Sequence, residues 1–399
     1  MKWRYWAMLS VLPLLLGYTV YQANSLLPGK KTLAWIVGCG FFLLLTLSQF
    51  LLRLDLKFQS SPAYPVLVGL SAFGMGVWAT YLLFSLPLDL GNSLLALFQR
   101  FDLSPVQPER REFFVSSLKT ALVGLSGGMA GLGFYEVVQG PQVKEVSVPL
   151  PNLPKELHGL KIAQISDLHV GGTIGSQYVE NVVKRVLGLS PDLIAVTGDL
   201  VDGIPETLSS KMTALAQLKA PLGTFYVTGN HEYYWGAEQW IQKVTELGFT
   251  PLMNSNRVLQ FQGKKLLVAG VTDTSAHQFI PDHQTDPKKA RLSDQDCDFK
   301  LLLAHRPDSC FEAEPLGYDL QLSGHTHAGQ FFPWSILVSF AHRYLQGLNR
   351  HGRMWVYVNA GTGYWGPPNR LINPSEITLI RLVSSSGVVR QQDGKVDPT

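Results

Sequence analysis

The sequence has little cysteine and little charge for its length. Three cysteines occur among 399 residues and none forms a C-x-x-C pair, so the sequence predicts neither a disulfide framework nor a thiolate metal site. Charged residues make up 16% of the chain, and a net charge of +3 is spread without a basic run. A surface that follows nucleic acid needs such a run, so we exclude nucleic acid as a predicted partner.

Long apolar stretches are abundant, and almost all of them precede residue 140. Residues 32–52 and 63–86 carry no charge and are each long enough to cross the ~30 Å apolar core of a bilayer as a helix. Residues 6–21 are shorter and also fit a signal peptide, but the apolar segments that follow favour a retained helix. Residues 118–138 carry glycines in G-x-x-x-G spacing, which suits close helix packing. The sequence therefore predicts an all-α transmembrane region of about four helices over residues 1–138.

The chain changes character after this region. Residues 139–158 are rich in proline and charge, and are predicted to be a linker that leads into an entry strand. Over residues 159–383, short β-branched runs alternate with amphipathic stretches, which is typical of a layered α/β fold. Residues 384–399 are polar and predict a loose tail. One α/β domain is therefore expected to follow the membrane region.

Five predicted strands of this domain end in side chains that can bind a metal. Sites in open α/β sheets form at the carboxyl ends of strands, and the residues of D-x-H or H-x-H share a face. Imidazole and carboxylate without thiolate suit zinc, manganese or iron. Seven candidates exceed the needs of one ion, which favours two divalent ions with Asp199 as the bridging carboxylate. The candidate ligands are Asp167, His169, Asp199, Asn230, His305, His325 and His327.

The motifs D-x-H, G-D-x-x-D, G-N-H-E, a single histidine and G-H-T-H, in that order, resemble those of the calcineurin-like metallophosphoesterases. The ending V-N-A-G-T-G to P-S-E-I-T further resembles the bacterial branch typified by YkuE and YaeI. The resemblance covers residues 159–383. It implies a four-layer sandwich, two β-sheets flanked by helices, that hydrolyses phosphate esters with two divalent ions. The implied ligand sets are Asp167, His169, Asp199 and His327 for one ion, and Asp199, Asn230, His305 and His325 for the other.

The resemblance also implies roles for residues that are not ligands. His231 is expected to be catalytic, meeting the substrate beside the metals and giving a proton to the leaving oxygen. Asp202 and Glu232 match motif positions and are expected to orient ligands or anchor loops. Aromatic side chains more often complete a core than wall a pocket, so the predicted site omits Tyr233, Tyr234, Trp235, Tyr364 and Trp365.

Two features of the sequence bear on the side of the membrane that the domain faces. The loops at 24–31 and 99–119 hold six lysines and arginines, Lys119 among them, and the side that carries the domain holds five, so the positive-inside rule leans toward a domain outside the cytoplasm. The segment E-R-R-E-F-F before the last apolar stretch resembles a twin-arginine export signal of the kind found in YkuE-like proteins. We expect an integral protein of the bacterial plasma membrane with an extracytoplasmic phosphoesterase domain.

Attachment to a bilayer points to a phospholipid, a lipid-linked sugar phosphate or a cell-envelope polymer as the phosphodiester or phosphomonoester substrate. One alternative is a UDP-diacylglucosamine pyrophosphatase of lipid A synthesis, which requires a cytoplasmic site. Another is a non-catalytic metal-binding membrane sensor. Every motif position is filled, which argues against a degenerate site, and the first three apolar runs lack the charges of a transport path. The sequence makes no prediction of the oligomeric state.

Overall fold

The computed structural model describes residues 2–51, 61, 63–101, 107–291 and 296–384. The chain divides into two compact units. The helical unit comprises Met1–Gln139 together with two short segments, Phe331–Ile336 and Gly366–Ile372. The sheet unit comprises the rest of the chain from Gly140 onward.

Long helices form at the four apolar segments that the sequence predicted. Their bounds are α1 Lys2–Leu26, α2 Lys31–Leu51, α3 Ala63–Arg100 and α4 Pro108–Gln139. By length and composition, the described stretches Val66–Gln99 and Glu109–Gln139 can cross a membrane, and Lys31–Leu43 is a shorter apolar helix. The apolar run that begins at residue 63 ends at Leu86, but helix α3 continues to Arg100 and so carries Asp89.

Polar side chains of α1, α3 and α4 form a buried group in the helical unit. Nζ of Lys119, whose side chain is 1% exposed, lies 2.6 Å from Oδ1 of Asp89. Oδ2 of Asp89 accepts hydrogen bonds from the Tyr18 hydroxyl at 2.9 Å and the Gln22 amide at 2.5 Å. A buried ion pair is tolerated when further hydrogen bonds satisfy its atoms, so this group ties three helices together.

The glycines of α4 differ in what surrounds them. A Cβ added at Gly124, Gly127, Gly128 or Gly131 would meet nothing within 4 Å among the described residues, so the close packing predicted from G-x-x-x-G spacing is not seen there. Gly133 is different, because a Cβ at this position would overlap the Asn369 side chain, and its carbonyl accepts the Arg370 N–H at 3.0 Å. The close approach on α4 is therefore made to a loop segment of the helical unit.

The sheet unit contains two six-stranded sheets, ordered β1-β12-β2-β3-β4-β5 and β10-β11-β9-β8-β7-β6. The strands are β1 Gln142–Leu150, β2 Lys161–Ile165, β3 Leu193–Val196, β4 Thr224–Tyr226, β5 Thr250–Pro251, β6 Ser255–Phe261, β7 Lys264–Gly270, β8 Phe299–Leu303, β9 Leu320–Ser323, β10 Gly347–His351, β11 Met354–Val358 and β12 Glu376–Ser384. The α-helices described after Gln139 are α5 Ser176–Gly188, α6 Pro205–Leu208, α7 Asn230–Tyr234, α8 Ala237–Glu246, α9 Pro287–Arg291, α10 Cys310–Ala313 and α11 Trp334–Ser339.

The core lies between the two sheets because alternate residues of each strand face it. On β7, Leu266 and Val268 join the inner cluster with residues of both sheets. Leu267 and Ala269 point the other way, into a second cluster that includes residues of α9 and α10. Helix α5 buries one face through valines at helical spacing, Val179, Val182, Val183 and Val186. The predicted four-layer sandwich, with two sheets between helices, is confirmed.

Residues 139–158, predicted as a linker with an entry strand, contain β1. This strand pairs in parallel with β12 over its nine residues, from Gln142 opposite Glu376 to Leu150 opposite Ser384. The sheet unit begins at Gly140, ahead of the predicted domain start at residue 159. The predicted tail lies outside the described residues apart from Ser384.

Candidate metal centre

The candidate ligands follow five strands of both sheets. Asp167 and His169 follow β2, Asp199 follows β3, and Asn230 follows β4 as the first residue of α7. His305 follows β8, and the two histidines of the G-H-T-H motif follow β9. Six of the seven fall into two groups whose ligand atoms lie within 4.8 Å of one another, and Asn230 is next to a residue bonded to one of them.

One group consists of Asp167, His169 and His327. The Nε2 atoms of the two histidines lie 3.0 Å apart, and Nε2 of His327 lies 3.4 Å from Oδ1 of Asp167. The Asp167 carboxylate also accepts the backbone N–H of His325 and the Ser166 hydroxyl, which fixes its orientation. Two imidazole nitrogens and one oxygen therefore converge on a single point.

The other group consists of Asp199, His305 and His325. Nε2 of His305 lies 3.2 Å from Oδ2 of Asp199 and 3.2 Å from Nδ1 of His325. Nδ1 of His305 donates to the Thr197 carbonyl at 2.8 Å, which leaves Nε2 free to act as a ligand. Oδ2 of Asp199 is also 3.9 Å from Nε2 of His169 in the first group. One carboxylate thus reaches both groups, as a bridging ligand must.

The carboxylate of Glu232 supports the loop that carries Asp199. It is fully buried, with Oε1 accepting the Leu200 N–H at 2.7 Å and Oε2 accepting the N–H groups of Asp199 and Gly229 at 3.0 and 2.7 Å. Burial, with the charge of Asp199 added, raises the pKa of Glu232 to about 7. Glu232 is therefore a loop anchor in this structure.

Asp202 holds two histidines of the site. Its Oδ1 is hydrogen-bonded to Nδ1 of His231, and its Oδ2 lies 3.1 Å from Nδ1 of His169. The opposite nitrogen of His231, Nε2, lies 3.9 Å from Oδ2 of Asp199. Burial lowers the pKa of His231, but the carboxylates of Asp199 and Asp202 outweigh it and raise the pKa to about 9. The Nε2 edge of His231 therefore faces the centre.

The backbone at the site adopts the left-handed conformation, which residues other than glycine rarely adopt. Five candidate ligands have φ between +51° and +70°, in the left-handed region, where each residue costs about 1–3 kcal/mol. Strain of this kind persists where the surrounding structure enforces it and clusters at functional sites. The residues are Asp167, His169, Asp199, His325 and His327.

Glycines let the ligand loops approach one another. A Cβ at Gly324 would overlap the Ser166 hydroxyl and the Asp167 carboxylate, and a Cβ at Gly229 would overlap the Asp199 carboxylate. The glycines of G-H-T-H and G-N-H-E are therefore required by the space around the carboxylates of the two candidate ligands, Asp167 and Asp199.

The structure adds residues that the sequence did not place in the site. Tyr234 and Trp365 are each 52% exposed, and their rings lie 5.1 and 5.7 Å from the ring of His231. The Gln330 amide bonds both the N–H and the carbonyl of Trp365. The expectation of core aromatics holds for the buried Tyr233 and Tyr364 and is wrong for these two. The sequence motifs also did not single out Arg306, although it directly follows the candidate ligand His305.

The donor set fits divalent cations. Asp167 and Asp199 are buried carboxylates, and a buried charge needs a compensating charge close by. Imidazole nitrogens beside carboxylate oxygens, without sulfur, suit first-row divalent metals. The side chains that converge here can therefore hold metal.

Comparison with known proteins agrees with this geometry. The model of the calcineurin-like phosphoesterase family matches residues 160–329. An uncharacterized metallophosphoesterase of Helicobacter pylori strain J99 is 39% identical over 69% of this chain and 73% of that protein. The uncharacterized metallophosphoesterase YkuE of Bacillus subtilis is 29% identical over 69% of this chain and 98% of its own length. A transmembrane protein with metallophosphoesterase domain from Danio rerio is 36% identical over 64% of this chain and 60% of its length.

Proposed function

Because the chain belongs to the calcineurin-like metallophosphoesterase family and is a metal-dependent phosphoester hydrolase, we propose that it works with two divalent ions that share Asp199. The observation that carries the proposal is the position of the Asp199 carboxylate between two groups of ligand atoms. The proposed ligands are Asp167, His169, Asp199 and His327 for one ion, and Asp199, Asn230, His305 and His325 for the other.

When bound, two divalent ions would activate a water nucleophile and neutralise the charge of the phosphate. The side chains of this protein would do the rest. His231 is proposed as the catalytic residue, since Nε2 faces the centre and can give a proton to the leaving oxygen. Asp202 would keep that ring in place through its bond to Nδ1. Tyr234 and Trp365 would border the leaving group beside His231.

We further propose that the metals are manganese, zinc or iron. The proposed ligands include four imidazoles and only two carboxylates, and hard magnesium prefers oxygen. Reconstitution of the metal-free protein with each metal separately, followed by measurement of bound metal and of turnover, would decide among them.

The helical unit is proposed to anchor the enzyme in the bacterial plasma membrane with the sheet unit outside the cytoplasm. Two helices of sufficient length and apolarity support an anchor. A phospholipid, a lipid-linked sugar phosphate or an envelope polymer is then the proposed substrate, as phosphodiester or phosphomonoester. Fusions of alkaline phosphatase and of green fluorescent protein to the C-terminus test the facing. Active phosphatase with a dark fluorescent protein is expected, and the reverse result would place the domain in the cytoplasm.

The proposed function is tested with the full chain in detergent. Hydrolysis of nitrophenyl phosphate and bis(nitrophenyl) phosphate is measured in the metal-free protein and after addition of manganese, zinc or iron, with Asp199→Ala beside the wild type. Metal-dependent turnover that Asp199→Ala abolishes, together with two ions per chain in the wild type, is the expected result. Tight metal binding without turnover of any phosphoester would instead identify a metal-binding sensor.

A further inference from the structure

Arg306 places a positive charge beside a site that binds cations. It follows His305 at the end of β8, and its side chain is 26% exposed. Its Nε donates to Oδ2 of Asp273 at 2.8 Å, and its Nη2 donates to Oδ1 of Asn230 at 3.3 Å. Like charges close together repel, so a cation next to bound metal ions needs anions nearby; Asp273 supplies one, and a bound anionic ligand would supply another.

Asp273 fixes the position of this guanidinium. Its carboxylate is fully buried, and its second oxygen, Oδ1, accepts both the N–H of Ser275 at 2.8 Å and the Ser275 hydroxyl at 2.5 Å. A buried carboxylate whose other oxygen is held by two hydrogen bonds from Ser275 cannot turn to follow a mobile partner. Arg306 is therefore oriented before any substrate arrives, which limits the entropy lost on binding.

The guanidinium retains donors for another ligand. Arginine has five N–H groups in a planar fork, and two of them are used by Asp273 and Asn230 among the described residues. The 3.3 Å bond to Asn230 is long for an N–H···O bond, and Asn230 is one of the proposed metal ligands. The planar guanidinium of arginine can bind a phosphate through two parallel N–H···O hydrogen bonds.

We propose that Arg306 binds a non-bridging oxygen of the substrate phosphate and thereby selects a phosphomonoester over a phosphodiester. This inference rests on the proposed function and specifies its substrate class. A monoester carries three non-bridging oxygens and close to two negative charges near neutral pH, whereas a diester carries two such oxygens and one charge. If each ion held one non-bridging oxygen, only a monoester would have a third such oxygen to offer Arg306.

The test uses the full chain loaded with metal and compares Arg306→Gln, Arg306→Lys and the wild type. The matched control is Arg381→Gln, since Arg381 also forms an ion pair with a carboxylate, that of Glu145, but lies on β12 with 39% of its side chain exposed. Three quantities are measured: bound metal, the Kd of inorganic phosphate by calorimetry, and kcat/KM for nitrophenyl phosphate and for its bis-ester.

For Arg306→Gln we expect phosphate affinity and kcat/KM for the monoester to fall about 10- to 100-fold, the usual effect of losing a charge-assisted hydrogen bond. The kcat/KM for the diester should fall much less, and bound metal should not change. Arg306→Lys should recover part of the lost phosphate affinity and monoester kcat/KM. The Arg381→Gln control should match the wild type in all three measurements.

Two results would overturn the inference and leave the proposed function standing. One is an equal loss for both esters with unchanged phosphate affinity, and the other is a loss of bound metal, because each would mean that Arg306 only positions Asn230. Absence of metal-dependent turnover in the wild type would instead defeat the proposed function. The phosphate Kd would still report whether Arg306 binds phosphate in that case.

Discussion

Glu232 fixes the backbone of Asp199, because Oε2 of Glu232 accepts the Asp199 N–H at 3.0 Å. The Asp199 side chain remains directed toward His305. The carboxylate that reaches both ligand groups is thus positioned through its own backbone. The same Glu232 oxygen accepts the Gly229 N–H, so one side chain joins the loops after β3 and β4.

We predict that Glu232→Gln weakens metal binding about 10- to 100-fold, because ligands that lose their supporting partner bind metal less well. The amide places an NH₂ group where backbone N–H groups now find an acceptor, which should also lower the free energy of unfolding by about 1–3 kcal/mol. Metal titration and thermal unfolding measure the two effects. Glu246→Gln on the exposed face of α8 is the control, and equal behaviour of the two variants would refute the anchoring role.

Asp202→Asn should lower kcat about 10- to 100-fold through His231, since Asp202 holds Nδ1 of that ring. A double-mutant cycle separates this route from an effect on His169, which Asp202 also contacts. If Asp202 acts through His231, the double variant with His231→Gln loses no more activity than His231→Gln alone. Additive losses accompanied by a loss of bound metal would show that the contact with His169 is the important one.

Gly324→Ala should abolish metal binding, because its Cβ would overlap the Asp167 carboxylate and the Ser166 hydroxyl. Gly175→Ala is the matched control, since a Cβ there meets nothing within 4 Å among the described residues. Bound metal per chain is measured for both. A Gly324→Ala variant with a full complement of metal would contradict the close packing described for this loop.

Breaking the buried ion pair of the helical unit should destabilise it strongly. Lys119→Met or Asp89→Asn alone should cost about 3–5 kcal/mol, because a polar or charged group is left without its partner. The double variant Lys119→Met, Asp89→Asn should regain part of that loss, because the amide oxygen can still accept hydrogen bonds from Tyr18 and Gln22. Unfolding in a denaturing detergent measures the series, with the exposed Lys31→Met as control. Single and double variants of equal stability would show that the pair does not hold α3 to α4.

Much of the site was predictable because its residues directly follow strands, and sites in α/β sheets form at the carboxyl ends of strands. The motif residues after β2, β3, β4, β8 and β9 are short-range signals, and the two-sheet sandwich brings those strand ends together. The left-handed backbone at His325 or Asp199 was not predictable, since it results from contacts with other loops rather than from local preference. The role of Arg306 depends on Asp273, a residue distant in sequence that matches no motif.

The helical unit was harder to read from the sequence. A span predicted from apolar residues stops before the first charge, so the prediction separated the run ending at Leu86 from Asp89, although α3 is continuous through both. Lys119 was counted among the charges that flank the apolar segments, yet it is buried against Asp89. The predicted facing rests on six positive charges against five, and one of the six, Lys119, already has a buried carboxylate partner.

The position of β12 constrains when this enzyme can finish folding. The final described strand, β12, lies between β1 and β2, the two strands of its unit that are synthesised first. The side chains of Arg381 on β12 and Glu145 on β1 form an ion pair, and the two residues are 236 positions apart along the chain. The place between β1 and β2 stays open until residues 376–384 have been synthesised. Domains with such distant pairings fold slowly, and the first sheet cannot be completed before that final described strand is available. A chain interrupted before Glu376 would leave two unpaired strand edges, which are sites for aggregation and for recognition by chaperones.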